Sequence, residues 1–214
     1  PSLASGNTVI LKPSEVVPET GALMVKAFSK ILPKGVLQLA QGSGSVGASL
    51  VAHPGIDLVA MTGSSATGRK IIESAAPQLK RVILEMGGKD PMIVMSDADL
   101  QKAAKDAVAY SLSNTGQVCC SVERIYVAED VYEEFQELTR VAAQDYKVGN
   151  GMDPDKSVGP MVSAMQKDLV HEQVEDAIAK GATMLHRSAV PEETEGSFYP
   201  VTVLSDVDKS MQLF

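Results

Sequence analysis

The chain has 214 residues, of which 44% are hydrophobic and 21% charged, with a formal net charge of -8 from 19 Lys and Arg against 27 Asp and Glu. That balance excludes a disordered chain and leaves room for one large domain or two smaller ones. The basic residues form no run longer than Lys80-Arg81, so nucleic acid is not an expected partner, and no apolar run approaches the roughly 20 residues needed to cross a bilayer.

In chain order, Thr8 to Leu11 reads as a strand. A helix opens at Pro18-Glu19-Thr20, with Leu23, Met24, Ala27, Phe28 and Ile31 three or four apart. Pro33 and Gly35 end it. Val36 to Ala40 reads as a strand, Val46 to Ala52 as a short helix, Leu58 to Thr62 as a strand, Thr67 to Ala75 as a helix and Arg81 to Glu85 as a strand. Gly87-Gly88 then punctuates the chain, which predicts one unit over 1–86 and another over 87–214. In the second, Met92 to Met95, Arg124 to Val127, Thr183 to His186 and Val201 to Leu204 read as strands. Ala98 to Leu112, Val131 to Tyr146 and Ala164 to Lys180 read as helices, with a Gly/Pro/Asp loop at Gly149 to Pro160 and an acidic segment at Pro191 to Pro200. Alternating strands and helices imply an α/β fold, and in the first unit a largely parallel sheet covered on both faces.

Two glycine turns follow predicted strands. Gly42-Ser43-Gly44-Ser45-Val46-Gly47 satisfies the dinucleotide spacing, although Asp57 is too close to be its acidic partner; a structural strand-to-helix turn explains it equally well. In Thr62-Gly63-Ser64-Ser65-Ala66-Thr67-Gly68, Ser64 is either a phosphate donor or a helix cap. The chain's two cysteines, Cys119 and Cys120, are adjacent, which disfavours a structural disulfide. With His53, His171 and His186 at no matching spacing, no zinc site is expected. Cys119, just after Gly116-Gln117, is a candidate nucleophile or an inert buried thiol. Glu85, at the end of an apolar strand, is a candidate general base whose pKa burial would raise, or a carboxylate paired with Lys89; taken alone, the pair is the simpler reading.

The order of these pieces changes their meaning. Gly6-Asn7-Thr8-Val9-Ile10-Leu11-Lys12-Pro13-Ser14-Glu15, Met61-Thr62-Gly63-Ser64, Leu84-Glu85-Met86-Gly87-Gly88-Lys89 and Gly116-Gln117-Val118-Cys119 together resemble the aldehyde dehydrogenase superfamily across essentially the whole chain. The resemblance implies a Rossmann-like cofactor-binding sheet followed by a second α/β catalytic domain. It also implies oxidation of an aldehyde to an acid with NAD, NADP being the alternative. Cys119 matches the nucleophile and Glu85 the base that activates water. Lys12 and Glu15 match residues that hold the adenosine ribose, Ser64 matches a pyrophosphate contact, and Gly63 and Gly68 bracket its turn. Gly42 to Gly47 is thereby demoted to a turn near the adenine, and Cys120 receives no role.

The family's oxyanion asparagine is expected before Pro1 and its Glu-x-Phe-Gly-Pro segment beyond Phe214, so the chain is expected to be an internal piece, poorly active alone. Loss of one oxyanion donor costs about 2.7–4 kcal/mol of transition-state stabilisation. A homo-oligomer in the cytoplasm or an organellar matrix, acting on a small aldehyde, completes the expectation. Three alternatives stand beside it: a CoA-acylating relative, against which Glu85 argues, a non-catalytic nucleotide-binding relative, and a redox sensor using Cys119 and Cys120.

Overall fold

Strands and helices alternate along the chain as the periodicity predicts, and a computed structural model describes residues 1–192 and 195–214. Two residues of the acidic segment, 193 and 194, lie outside the described residues. The chain divides into two compact units, Pro1–Gly87 and Gly88–Phe214.

The first unit runs β1 (Val9–Leu11), α1 (Pro18–Phe28), β2 (Leu37–Leu39), α2 (Gly44–Ala52), β3 (Leu58–Gly63), α3 (Ser65–Ala75) and β4 (Arg81–Met86). β1 pairs in parallel with β2, Val9 opposite Leu37, and β3 in parallel with β4, Thr62 opposite Glu85. The two pairs are joined through the helices. Lys80, just before β4, donates its ammonium to the carbonyls of Val51 (2.6 Å) and His53 (2.5 Å) at the end of α2. A cation there satisfies orphan carbonyls and complements the helix dipole.

The second unit runs β5 (Pro91–Val94), α4 (Leu100–Leu112), β6 (Arg124–Val127), α5 (Tyr132–Ala143), α6 (Ala164–Ala179), β7 (Thr183–Arg187) and β8 (Thr202–Ser205). β5 and β6 are parallel, whereas β7 and β8 are antiparallel with an irregularity between Met184 and His186. Caps set the helix starts: Asp99 Oδ1 accepts the Lys102 N–H at 3.1 Å, so α4 begins after Asp99 rather than at Ala98, and Ser163 Oγ accepts from Gln166 N–H at 3.2 Å before α6. The best-filled core is here. Val94, Ala104, Ala107 and Phe135 pack β5, α4 and α5 together, while Val108, Ala143, Val148, Val158 and Val201 form a second cluster.

Two expectations are corrected. Within the first unit the strands are parallel, as expected, but form two separate pairs, β1–β2 and β3–β4, rather than one sheet. The faces are also not both covered: Ile83 on β4, Ile93 on β5 and Tyr126 on β6 are exposed, and so are Leu23, Met24 and Phe28 on α1 and Ile31 just after it. What α1 packs is its opposite side, where Gly21 is buried against Pro13 and Leu11. Alternation and helical periodicity mark which face is apolar, but not whether this stretch of chain supplies the layer that covers it.

Candidate active site

At the carboxyl ends of β1 and β2 the structure brings Lys12, Glu15 and the first glycine turn together. Lys12 Nζ donates to the carbonyls of Pro13 (2.7 Å) and Gly42 (2.9 Å) and lies 3.6 Å from Glu15 Oε2. Its stem passes over Gly47, where an added Cβ would sit 3.4 Å from Lys12 Cε. Lys12 is largely buried and Glu15 exposed, so the lysine is fixed by backbone carbonyls while the carboxylate remains open to solvent. The turn is tight: an added Cβ on Gly42 would fall 2.4 Å from Val46 Cγ2. Ser43 does not cap α2, its hydroxyl lying 2.9 Å from Ser45 Oγ instead.

At the end of β3, Ser64 is the N-cap of α3. Its Oγ accepts the Thr67 N–H at 3.2 Å and lies 3.0 Å from Thr67 Oγ1. The capping reading of Ser64 is therefore correct as structure, and a ligand contact would be additional to it. Because the helix begins at Ser65, the N–H groups of Ser65 and Ala66 have no acceptor within it. Gly63 is exposed beside this turn, but Gly68 is buried, with Met86 Sδ 2.9 Å and Leu84 Cδ1 3.3 Å from where its Cβ would stand. Gly68 thus packs α3 onto β4. Glu85 on β4 stands opposite Thr62 and is exposed, as is Met86 beside it, so burial does not act on its carboxyl here. Within the second unit, Lys89 Nζ lies 3.2 Å from Glu123 Oε2.

Cys119 lies between α4 and β6, at the tip of a turn closed by the Ser121 N–H donating to the Val118 carbonyl at 3.2 Å. Cys119 and Cys120 occupy the two central positions, and both thiols are free and exposed. Cys119 is therefore exposed rather than buried, set at the tip of its turn. Both flanks are tied down. Ser121 is buried, with its hydroxyl donating to Glu123 Oε1 at 3.2 Å, and Ser111 Oγ lies 2.5 Å from the Val122 carbonyl. Upstream, Asn114, Thr115 and Gly116 take φ values of 48°, 62° and 72° in succession. Left-handed backbone is rare for a β-branched residue such as Thr115, and glycine at 116 adopts it freely.

Sequence reasoning gave no role to Gln117, which the structure makes the link between this turn and a distant loop. Its Oε1 accepts the Val162 N–H at 2.8 Å and its Nε2 donates to the Asn114 carbonyl at 3.2 Å. Asn-Thr-Gly signalled a turn, but nothing in the sequence pointed to Val162. The resolved pKa shifts fall on other groups of the second unit. Burial, then the Arg140 charge, lowers that of His186; burial raises that of Tyr199; and hydrogen bonding, first from Thr183, lowers that of Asp206. A cavity of about 430 Å³ lined by Tyr146, Lys147, Lys156, His186 and Arg187 contains none of the residues singled out above. Among the described residues no cluster of His, Cys, Asp and Glu could hold a metal ion, and no helix is long and apolar enough to cross a membrane.

The sequence profile of the aldehyde dehydrogenase family matches residues 1–214. The chain belongs to that family. It is 38% identical to 3,6-anhydro-alpha-L-galactose dehydrogenase of Vibrio sp. (strain EJY3), over all of this chain and 45% of that protein. It is likewise 38% identical to lactaldehyde dehydrogenase of Escherichia coli (strain K12), again over all of this chain and 45% of the relative. Among solved structures, aldehyde dehydrogenase C of Pseudomonas syringae, a cysteine-to-alanine mutant in complex with NAD+ and octanal, superposes with a TM-score of 0.93 at 34% identity, covering 99% of this chain and 44% of that one. The α/β fold is therefore that of the family, and the chain spans about half the length of the relatives it matches.

Proposed function

We propose that the protein containing these residues oxidises an aldehyde to a carboxylic acid with NAD(P)+ through a covalent intermediate on Cys119. The observation that carries this reading is the exposed Cys119 at the tip of an anchored turn, in a chain of this family. In this reading the first unit, Pro1–Gly87, holds the cofactor and the second, Gly88–Phe214, carries the cysteine.

The donor set fits a nicotinamide dinucleotide at two places. Glu15, open to solvent beside the fixed Lys12, can accept hydrogen bonds from ribose hydroxyls, and its charge favours NAD over the 2′-phosphorylated NADP. The start of α3, with the N–H groups of Ser65 and Ala66 unpaired within the helix, suits a pyrophosphate, with Gly63 and Ser64 beside it. When bound, the nicotinamide supplies the hydride acceptor.

The chain's own residues account for the remaining chemistry. The Cys119 thiolate adds to the aldehyde carbon, giving a thiohemiacetal whose oxyanion can be met by the Cys119 N–H, which has no acceptor among the described residues. Loss of hydride from that carbon leaves a thioester. Glu85 then takes a proton from water, the hydroxide adds to the thioester carbonyl, and the acid leaves as the thiol is restored. Dividing the reaction across a covalent intermediate replaces one difficult step with two easier ones. Free, adjacent thiols favour a reducing compartment, cytoplasm or organellar matrix, and assembly of identical copies belongs to the same proposal.

The test follows NAD and NADP reduction by the natural gene product over a panel of aldehydes, with Cys119→Ser and Cys120→Ser beside the parent. Turnover should vanish in Cys119→Ser and largely survive in Cys120→Ser. A folded parent that reduces neither cofactor with any aldehyde would overturn the reading.

A further inference from the structure

The Gln117 side chain hydrogen-bonds both to the turn before Cys119 and to Val162, 45 residues on. We infer that Gln117 is a positioning residue for catalysis: its carboxamide clamps the left-handed turn Asn114-Thr115-Gly116 to the Val162 backbone and thereby fixes where Cys119 stands. This inference rests on the reading of Cys119 as the nucleophile. The carboxamide is used at both ends. Oε1 accepts from the Val162 N–H at 2.8 Å, Nε2 donates to the Asn114 carbonyl at 3.2 Å, and the Gln117 N–H donates to that same carbonyl at 3.2 Å. The reverse orientation of the amide would set donor against donor at Val162, so the hydrogen bonds themselves fix it. Asn114 Nδ2 adds a 3.3 Å contact to the Gln117 carbonyl.

The far anchor is firm. Val162 sits between the buried Met161, whose N–H donates to the Ser197 carbonyl at 2.9 Å, and Ser163, the cap of α6. The near side needs holding, because Thr115, a β-branched residue, has a φ of 62° directly after Asn114 at 48°, and such a residue keeps left-handed backbone only under constraint. Without the carboxamide, the turn would relax toward ordinary backbone angles and carry Cys119, two residues on, away from its attack geometry. A displacement of about 1 Å is enough to cost on the order of 10²-fold in rate.

The experiment uses the natural gene product in four forms: parent, Gln117→Met, Gln117→Glu and the double variant Thr115→Gly/Gln117→Met. Methionine matches glutamine in length without its hydrogen bonds, glutamate keeps the acceptor for Val162, and glycine at 115 adopts the left-handed angle unaided. Two readouts are taken, amide hydrogen exchange at Val162 and kcat and KM for aldehyde and NAD. Gln117→Met should speed Val162 exchange at least about tenfold and lower kcat by about 10–100-fold with KM for NAD unchanged. Gln117→Glu should retain Val162 protection, and Thr115→Gly should recover most of the lost kcat. Unchanged exchange in Gln117→Met refutes the clamp whatever the activity. Faster exchange with unchanged kcat, or no recovery in the double variant, refutes positioning. A parent inactive with every aldehyde, yet showing the exchange effect, overturns the function rather than the clamp.

Discussion

Gly21→Ala and Gly68→Ala make the same chemical change in the first turns of two helices, and the structure assigns them different outcomes. In both, alanine should gain roughly 0.5–1 kcal/mol over glycine from helix propensity. At Gly21 the new methyl would stand 2.8 Å from Pro13 Cβ and 3.0 Å from Pro13 Cγ, against a ring that cannot rotate aside. Relief requires α1 to move off the chain, a strain of the kind that costs about 1–3 kcal/mol. At Gly68 the methyl meets Met86 Sδ at 2.9 Å and Leu84 Cδ1 at 3.3 Å, the far ends of flexible side chains, one of them on an exposed residue. A rotamer change there costs about 0.5–1.5 kcal/mol, which the propensity gain largely offsets.

Gly21→Ala should therefore lose about 1–2 kcal/mol and Gly68→Ala stay within about 1 kcal/mol of the parent. Thermal unfolding of the natural gene product and both variants reads the difference, at roughly 2–4 °C per kcal/mol for a chain of this size and less for a longer one. Measuring KM for NAD on the same samples separates packing from ligand contact. Equal melting temperatures for the two variants would refute the packing argument. A raised KM for NAD in an equally stable Gly68→Ala would return Gly68 to the cofactor site.

Glu85→Gln should lower kcat by about 10²–10⁴-fold while a first turnover of NADH still forms, because only thioester hydrolysis needs the base; rapid mixing checks for that burst, and its absence would place Glu85 earlier in the reaction. Ser64→Ala should cost about 0.5–2 kcal/mol through the lost cap on Thr67, whereas Ser64→Asp should keep the cap but raise KM for NAD by setting a carboxylate where a pyrophosphate is proposed. If Ser64→Asp leaves KM unchanged, Ser64 is a cap alone. Burial, then the Arg140 charge, holds the His186 pKa below its ordinary value of 6.5, and its Nε2 is buried without a hydrogen-bond partner among the described residues. A folded-state pKa below the unfolded one means that the neutral ring contributes stability above that ordinary value, lost as pH falls below it. Between about pH 7.5 and about pH 5.5 the parent should thus lose more thermal stability than His186→Gln, and parallel losses would sink this assignment.

Much of the fold was legible because its signals are local. The strand ends at Leu11, Val127 and Leu204 fall within one residue of the structure, and Asp99 and Ser163 cap helices as such residues do. What escaped depends on partners remote in sequence. The strands Arg81 to Glu85 and Met92 to Met95 were legible, but not that Ile83 and Ile93 within them are left exposed. One of the two readings of Glu85 places it in a burying site at a strand's carboxyl end, yet its own position in the pair is open. Lys12 and Glu15 entered through resemblance, and only the coordinates reveal that the Gly42 carbonyl is what holds the lysine. Gln117 was part of a recognised motif with no stated task, since its partner Val162 lies 45 residues on.

The pairing pattern has a further bearing on how this chain is made. Val9 meets Leu37, Leu58 meets Arg81 and Pro91 meets Arg124, so each parallel pair closes across a single intervening helix and in the order of synthesis. Such short closures are fast, and a growing chain on the ribosome can complete one before the next emerges. Each finished pair nevertheless presents strand edges with unpaired backbone groups until a neighbour arrives, and those edges invite pairing with another nascent chain. Early folding and early aggregation risk are then two results of the same local connectivity.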